Sequence, residues 1–237
     1  MKFLVIIPTY NEIENVEHII TEVLKQSDLL DILIVDDNSP DKTADKVLEM
    51  KAENQRIHLL KRPGKLGLGT AYVDGFKYAL SKEYDAIIQM DADFSHDPEF
   101  IKTMIEKADK YDMIIGSRYV SGINVVNWPL RRLILSFMAS KYVQIITGMP
   151  IKDPTGGFKM IKRRVLEAIK LDEVMADGYS FQIEINYRAW VRKFHIKEIS
   201  IVFTDRRSGH SKMSKKIIYE AIYMVWKLKI KHIFGQL

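Results

Sequence analysis

Asp91, Asp93 and Asp97 lie a few positions apart in QMDADFSHDPEF, directly after the apolar run YDAIIQM. Carboxylates crowded at the end of a buried strand repel one another and lose solvation, so a cation or a ligand must offset them. Residues two apart on an extended segment point the same way, so Asp91 and Asp93 can face one ion. Hard divalent cations such as Mg²⁺ or Mn²⁺ prefer oxygen ligands, and Mg²⁺ is usually held by one or two carboxylates plus substrate phosphates. Asp97 fits another role: it is expected to cap a helix, with Pro98 at the first helical position and Glu99 in the first turn.

Other polar stretches follow apolar runs in the same way. In VDDNSPD, Asp36 and Asp37 end a strand, where a carboxylate commonly accepts hydrogen bonds from a nucleotide; Asn38-Ser39-Pro40 supplies turn chemistry and Asp41 is placed to cap the next helix. KRPGKLGLGTAY has glycines at 64, 67 and 69, but matches neither the dinucleotide fingerprint nor a P-loop, and reads mainly as a tight strand-to-helix passage. Arg118, Arg131 and Arg132 bracket GSRYVSG and WPLRRLILS; an arginine pair opening an apolar helix suits an anionic group on an apolar tail, against the plainer reading of a solvated helix start. FTDRRSGHSKMSKK gathers Arg206, Arg207, His210, Lys212, Lys215 and Lys216 around Ser208 and Gly209, which suits a loop closing over phosphates or simply a solvated basic face.

The elements that must position these residues alternate through the first half. KFLVIIP, DILIVDD, RIHLLKR, YDAIIQM and YDMIIGSR read as strands. Helical patterns separate them, the first with Ile13, Val16, Ile20, Val23 and Leu24 at helical spacing behind an expected Asn11 cap. This predicts a mostly parallel sheet with helices on both faces, whose ligands sit beyond the carboxyl ends of the strands. The second half holds an apolar stretch at 133–151, a turn KDPTGGF, a short helix RRVLEAI, a helix over YSFQIEINYRAWVRK, a strand IKEISIVF and a closing helix KKIIYEAIYMVWKLKIKHIF. The 133–151 stretch is too interrupted by Lys141, Gly148 and Pro150 for a membrane span and reads as a buried or interfacial helix. The closing helix reads equally as a core helix or as one lying on anionic lipid, since Lys227, Lys229 and Lys231 accompany Tyr219, Ile222, Tyr223 and Trp226.

A chain of 237 residues suits one α/β domain, and 47% hydrophobic with 28% charged residues is ordinary for a globular protein. With no cysteine, disulfides, cysteine-ligated zinc and thiol catalysis are excluded. A net charge of +5 alone leaves nucleic acid, membrane surfaces and phosphorylated small molecules open as partners. The N-terminal MKFLVIIPTYNE reads as a first strand and not as a signal peptide.

Taken together, PTYNE, DDNSPDKT, GLGTAY, MDADFSHDP, GSRYVSG, RRLILS, DPTGGFK, GYSFQIE and DRRSGHSK, in that order along nearly the whole chain, resemble the family 2 glycosyltransferases of GT-A fold. Within them they are most similar to the dolichyl-phosphate (polyprenyl-phosphate) mannosyltransferase group. The resemblance implies a single GT-A catalytic domain over 1–237. Its parts would be a nucleotide-sugar half at 1–120, an acceptor half with a closing loop at 121–213, and a C-terminal amphipathic helix at 214–237. It implies a metal-dependent, inverting transfer of mannose from GDP-mannose to dolichyl or polyprenyl phosphate, with Mg²⁺ or Mn²⁺ as cofactor and no nucleic-acid partner. Pro8, Tyr10 and Glu12 would line the nucleotide site with Val35 and Asp37. Asp91, Ala92 and Asp93 would meet the diphosphate, the two aspartates on the metal and Ser95 at the position where some relatives have a glutamine ligand. Arg118, Arg132 and Ser136 would hold the lipid phosphate, and Arg206 and Lys212 would close over the donor. Asp93, Arg118 and Arg206 are thus the implied catalytic residues. Without the transmembrane helices that many archaeal relatives carry after the catalytic domain, the chain is expected to sit peripherally on the cytoplasmic face of a membrane. It would do so through surface helices or a membrane-anchoring partner subunit. The same parts also allow transfer of glucose from a uridine nucleotide, or a non-catalytic nucleotide-sugar-binding module.

Overall fold

Side-chain alternation along the first strand sorts the molecule into layers. In β1 (Phe3–Thr9), Leu4 and Ile6 enter one core while Phe3, Val5 and Ile7 enter the other, the period-two signature of a sheet covered on both faces. The structure is a computed structural model that describes residues 1–174, 178–205 and 215–237, without the side chains of Tyr179 and of residues 215–220.

After β1 come α1 (Ile13–Leu24), β2 (Leu30–Asp36), α2 (Thr43–Glu53), β3 (Ile57–Lys61) and α3 (Leu68–Leu80). Then follow β4 (Ala86–Gln89), α4 (Phe100–Lys107), β5 (Met113–Ser117), the short β6 (Val125–Val126) and the long α5 (Leu130–Thr147). The remainder is β7 (Lys159–Lys162), α6 (Arg163–Ala168), a single 3₁₀ turn at Leu171–Glu173, α7 (Gly178–Val191), β8 (Ile196–Ser200), β9 (Phe203–Thr204) and α8 (Lys215–Ile233). Among the described residues the main sheet has seven strands in the order β3-β2-β1-β4-β7-β5-β8, and β6 pairs with β9 beside it. Every pairing in the main sheet is parallel except those of β7, which runs antiparallel between β4 and β5.

The expected mostly parallel sheet with helices on both faces is therefore the observed architecture. On one face α1, α2 and α4 bury Val16, Ile19, Ile20, Val23, Val47, Ile101 and Met104. On the other, α3, α6 and α7 bury Tyr72, Phe76, Val165, Leu166, Phe181 and Ile185, and Met224, Val225 and Leu228 of α8 close that core from outside. Gly75 lets α3 approach the sheet: a Cβ there would lie 2.6 Å from Ile6 Cγ2 and 3.5 Å from Val35 Cγ2.

Two expectations are corrected. Asn11 does not cap α1; it adopts a left-handed φ of 61°, and the N–H groups of Asn11, Glu12 and Ile13 are taken by Ser39 Oγ, Thr43 Oγ1 and Asp41 Oδ2 of the β2–α2 connection. The chain between KDPTGGF and RRVLEAI is β7, a strand that the sequence reading did not mark. With α5 and α8, the interfacial reading gains support. Leu130, Ile134 and Met138 of α5 are exposed, as are Ile222, Tyr223, Trp226 and Ile230 of α8, while the opposite side of α8 is core. Among the described residues no helix is long and apolar enough to cross a membrane.

The close approach at Gly75 gives a stability test. In an exposed helix Gly→Ala gains about 1 kcal/mol. Here the added methyl must displace a fully buried β-branched side chain, so Gly75→Ala is expected to lower unfolding free energy by ~1 kcal/mol net, measured by urea denaturation.

Candidate active site

The carboxyl ends of β1, β2, β4, β5 and β8 and the start of antiparallel β7 meet at one edge of the sheet, and the sequence-predicted residues gather there. At the β1 and β2 ends, Asp36 is buried and inward, accepting from Thr9 Oγ1 at 2.9 Å and from the N–H and Oγ of Ser39 at 2.9 and 2.6 Å. It folds the loop that caps α1. Asp41 does two jobs, accepting from Ile13 N–H and from Thr43 N–H and Oγ1 at the start of α2. Asp37 keeps one oxygen, Oδ1, on Arg62 Nη1 at 2.5 Å. Arg62 in turn reaches Asp74, Thr70 and the Gly67 carbonyl, so the glycine-bearing segment is tied down as a strand-to-helix passage.

Of the residues expected around the nucleotide, Tyr10 is exposed with Lys65 Nζ 4.0 Å from its ring centre, Pro8 is half-buried, and Glu12 accepts from Asn15 Nδ2. The Val35 side chain is wholly inside the core beneath α3, so at this position it is the main chain that could meet a ligand.

At the end of β4 the acidic stretch divides, but the helix start is corrected: Glu99 and not Asp97 stands at the N-cap position of α4, with no side-chain cap. Asp91 accepts from the buried Tyr72 hydroxyl at 3.2 Å through Oδ1 and donates its N–H to His96 Nδ1 at 3.2 Å. Asp93 Oδ1 accepts from Ser95 N–H at 3.1 Å across a turn in which Phe94 has φ 58°. Asp97 accepts from Glu99 N–H, and α4 begins at Phe100 after a turn that holds Pro98. Ala92 is buried. Ser95 is 3% exposed and meets Asp93 through its N–H. Among the described residues no cluster of three or more His, Cys, Asp or Glu is assembled. Two carboxylates, both partly open to the edge of the sheet, fit a hard divalent ion whose remaining ligands come from phosphates and water.

His96 and Tyr72 escaped the sequence reading. Burial pushes the His96 imidazole below its usual range, against the pull of Asp91 and Asp93, and its Nδ1 serves as an acceptor. Burial, and then the Asp91 charge, push the Tyr72 phenol well above its usual range, so it stays a donor to Asp91. Both rings are wedged: His96 on Phe158 at 5.1 Å, Tyr72 stacked on Phe181 at 5.8 Å.

The acceptor-side residues also come together. Arg118 and Arg132 lie 5.4 and 4.1 Å from the same ring of Trp128, and Tyr119 donates to Ser136 Oγ at 2.8 Å. Phe203 joins the two halves, its ring 5.4 Å from both His96 and Trp128 and 5.6 Å from Arg118. Neither arginine is a bare cation. Arg132 reaches Asp205 at 2.7 Å. Arg118 is clasped by Asp153 through its Nε at 2.7 Å, its Nη2 at 2.6 Å and its main-chain N–H at 2.9 Å, and also reaches Thr155 Oγ1. Burial pushes the Asp153 carboxyl up, but Arg118 outweighs it and holds it below the usual carboxylate range. Arg131 is exposed and takes no part. Arg206 and Lys212 lie outside the described residues.

A mostly parallel mixed sheet, interrupted by one antiparallel strand and carrying a carboxylate pair at the end of β4, defines a glycosyltransferase of GT-A fold. The chain belongs to glycosyl transferase family 2, whose family model matches residues 4–170. It is 44% identical over 224 residues to a polyprenol monophosphomannose synthase of Mycolicibacterium smegmatis, spanning 94% of this chain and 84% of that one. It is 40% identical over 225 residues to an undecaprenyl-phosphate mannosyltransferase of Micrococcus luteus, spanning 95% and 93%. Among solved structures it superposes on the mannosyltransferase PcManGT of Pyrobaculum calidifontis, in complex with GDP-Man and Mn²⁺. That match has a TM-score of 0.59 and 17% identity, over 99% of this chain and 74% of the other.

Removing the Asp153 charge leaves Arg118 buried without its carboxylate. Asp153→Asn is expected to cost ~3–5 kcal/mol at neutral pH by chemical denaturation. Because the folded value of Asp153 lies below 3.8, wild type keeps this contribution above pH 3.8 and loses it as pH falls through the folded value, so the difference between the two proteins narrows only in acid.

Proposed function

We propose that the protein transfers mannose from GDP-mannose to a polyprenyl or dolichyl phosphate, with inversion at the anomeric carbon, in the presence of Mg²⁺ or Mn²⁺. The observation that carries this reading is the juxtaposition, across Phe203, of the Asp91–Asp93 pair and the Arg118–Arg132–Ser136 group: one place for a diphosphate with its cation, another for a phosphomonoester. Support for mannose and for a lipid phosphate comes from the two bacterial relatives, and for GDP-mannose with a divalent metal from the archaeal complex of the same fold.

In this reading Tyr10 and Lys65 take the nucleoside end, near Pro8, Glu12 and Asp37. Asp91 and Asp93 would hold the metal, themselves positioned by Tyr72, His96 and the Ser95 N–H. When bound, the ion would offset the negative charge that builds on the departing diphosphate. Arg132 and Ser136, with Arg118, orient the lipid phosphate behind the anomeric carbon. A phosphate oxygen forms the new bond to that carbon as the bond to the GDP oxygen breaks. The acceptor is already anionic at neutral pH, so no side chain need remove a proton. Arg206 and Lys212, which lie outside the described residues, would add positive charge to offset the diphosphate. The apolar, lysine-flanked outer side of α8 and the exposed stripe of α5 rest on the cytoplasmic surface of an anionic membrane, alone or with an anchoring subunit.

Vesicles containing polyprenyl phosphate, incubated with labelled GDP-mannose, a divalent metal and the protein, should yield a label that is extractable into organic solvent and released by mild acid. Labelling from UDP-glucose but not from GDP-mannose overturns the reading. Asp93→Ala should lower transfer by at least ~100-fold, as the loss of several kcal/mol of charge stabilisation requires. Trp226→Glu should reduce co-sedimentation with anionic vesicles about tenfold or more, since one buried aromatic contributes roughly 1.5–3 kcal/mol.

A further inference from the structure

Lys159 is a lysine that ought not to be where it is. It opens β7 in the middle of the sheet, is fully buried, and its ammonium donates to Asn186 Oδ1 at 2.8 Å. Its cross-strand partners are Gln89 of β4 and Ile115 of β5. Asn186 is itself fully buried and donates to the Pro154 carbonyl at 2.9 Å, tying Lys159 to the turn that begins at Asp153. A buried ammonium costs several kcal/mol unless something offsets it, and the hydrogen-bond partner of this one, Asn186, is a neutral amide. The charge that reaches it is Asp153, and each of the two lies in the other's field. Asp153 is also the carboxylate that clasps Arg118. Two cations therefore lie in the field of one buried carboxylate, which is itself bonded to Arg118.

We propose that Lys159 is a positioning residue for the acceptor: its buried charge offsets Asp153, so that Arg118, although clasped by that carboxylate, still presents net positive charge to a phosphomonoester. Arg118 and Asp153 alone would sum to zero, a rigid but neutral pair with little attraction for an anion. Adding Lys159 leaves one positive charge in a low-dielectric setting, and the phosphate supplies the missing compensation. The proposal rests on the assignment of Arg118 to the acceptor phosphate made above.

The charge state of Lys159 is set by three elements around it. Gln89 on β4 and Asn186 on α7 are neutral, while the 153–157 turn brings Asp153, with Arg118 behind it and the partly exposed Glu198 on the main-chain N–H of Asp153. Burial pushes Lys159 down to about 7, with Asp153 opposing. The ammonium is therefore present below about pH 7 and lost as pH rises through that value, and with it the pull on the acceptor.

Lys159→Gln keeps a donor for Asn186 without the charge, and Lys159→Met removes both. With a short-chain polyprenyl monophosphate as probe, Lys159→Gln is expected to raise the acceptor KM about tenfold at pH 6.5, equivalent to a one-unit shift of a coupled ionisation. The donor KM should stay within about twofold, and the gap to wild type should close as pH rises past 8. An unchanged acceptor KM in folded Lys159→Gln overturns the proposal, as does an equal rise in both KM values with a lowered Tm, which would mark a structural lysine. Arg118→Lys separates the two levels: if it leaves the acceptor KM unchanged, the assignment of Arg118 itself fails. Wild type alone gives a further readout. At pH 8 the probe is fully dianionic, so its binding should take up a fraction of a proton from buffer, seen as calorimetric heats that vary with buffer ionisation enthalpy. The absence of uptake overturns the proposal.

Discussion

The clasp between Asp153 and Arg118 is the interaction on which the site depends. Asp153 is fully buried and Arg118 nearly so, and the carboxylate spends both oxygens on the guanidinium and the main-chain N–H of one residue. A buried ion pair of this kind adds little net stability over an apolar equivalent, but breaking it is expensive, so it fixes geometry. Here it pins the end of β5 to the turn before β7. That turn must then deliver the chain antiparallel between β4 and β5, and Gly157 arrives where a Cβ would meet His96 Cε1 at 3.5 Å and Asp91 Oδ2 at 3.9 Å. The ion pair on the acceptor side thus sets how closely the main chain approaches the carboxylate pair on the donor side.

The donor side obeys the same logic with neutral groups. The first N–H groups of α1 have no cap from their own side chains, and Ser39, Asp41 and Thr43 reach across from the β2–α2 connection to take them. The ends of β1 and β2 are thereby locked together, with Asp36 as the buried knot. Tyr10 projects from this lock into solvent, on a loop whose backbone hydrogen bonds are spoken for. For the nucleoside proposed to bind here such rigidity is a gain, because less ordering remains to be done on binding.

Much of this was legible in the sequence, and the exceptions have physical causes. The five strands and four helices of the first half announce themselves because β1, β2, β4 and β5 are apolar runs buried on both faces and the helices between them carry apolar residues at helical spacing. The strand alternation expected to align Asp91 and Asp93 does not apply, since β4 ends at Gln89 and Asp93 lies in a bend beyond it, and Asp97 bonds the Glu99 N–H within the turn before α4. β7 was not legible: Lys159 and Lys162 flank only Met160 and Ile161, and a four-residue strand with charged ends has no periodicity to detect. Nor can a sequence tell that Arg118 and Asp153, thirty-five positions apart, will neutralise each other, or that His96 will support Asp91. The one available signal was DPTGGFK itself, where an acidic residue, two glycines and a lysine crowd one short stretch. The positions of Arg206 and Lys212 lie outside the described residues, so the legibility of the closing loop is not at issue.

The charges of the site are arranged in opposed layers. Facing the sheet edge are Asp91 and Asp93, negative and partly open; beside them are Arg118 and Arg132, each already engaged by a carboxylate. Both proposed substrates are anions. A site of unpaired arginines would bind them tightly but would leave free cations in a half-buried pocket whenever empty, at a large desolvation cost. Pairing each arginine with an aspartate keeps the empty protein stable and the guanidinium planes fixed. It also weakens the attraction for phosphate, and the weakening must be recovered from elsewhere. For Arg132 the partner Asp205 is partly exposed, so water and salt screen it and an incoming phosphate can compete for the same guanidinium. For Arg118 the partner is sealed in the core, and no such competition is available. There the balance can be shifted only by another buried charge, and Lys159, in the field of Asp153, is placed to shift it.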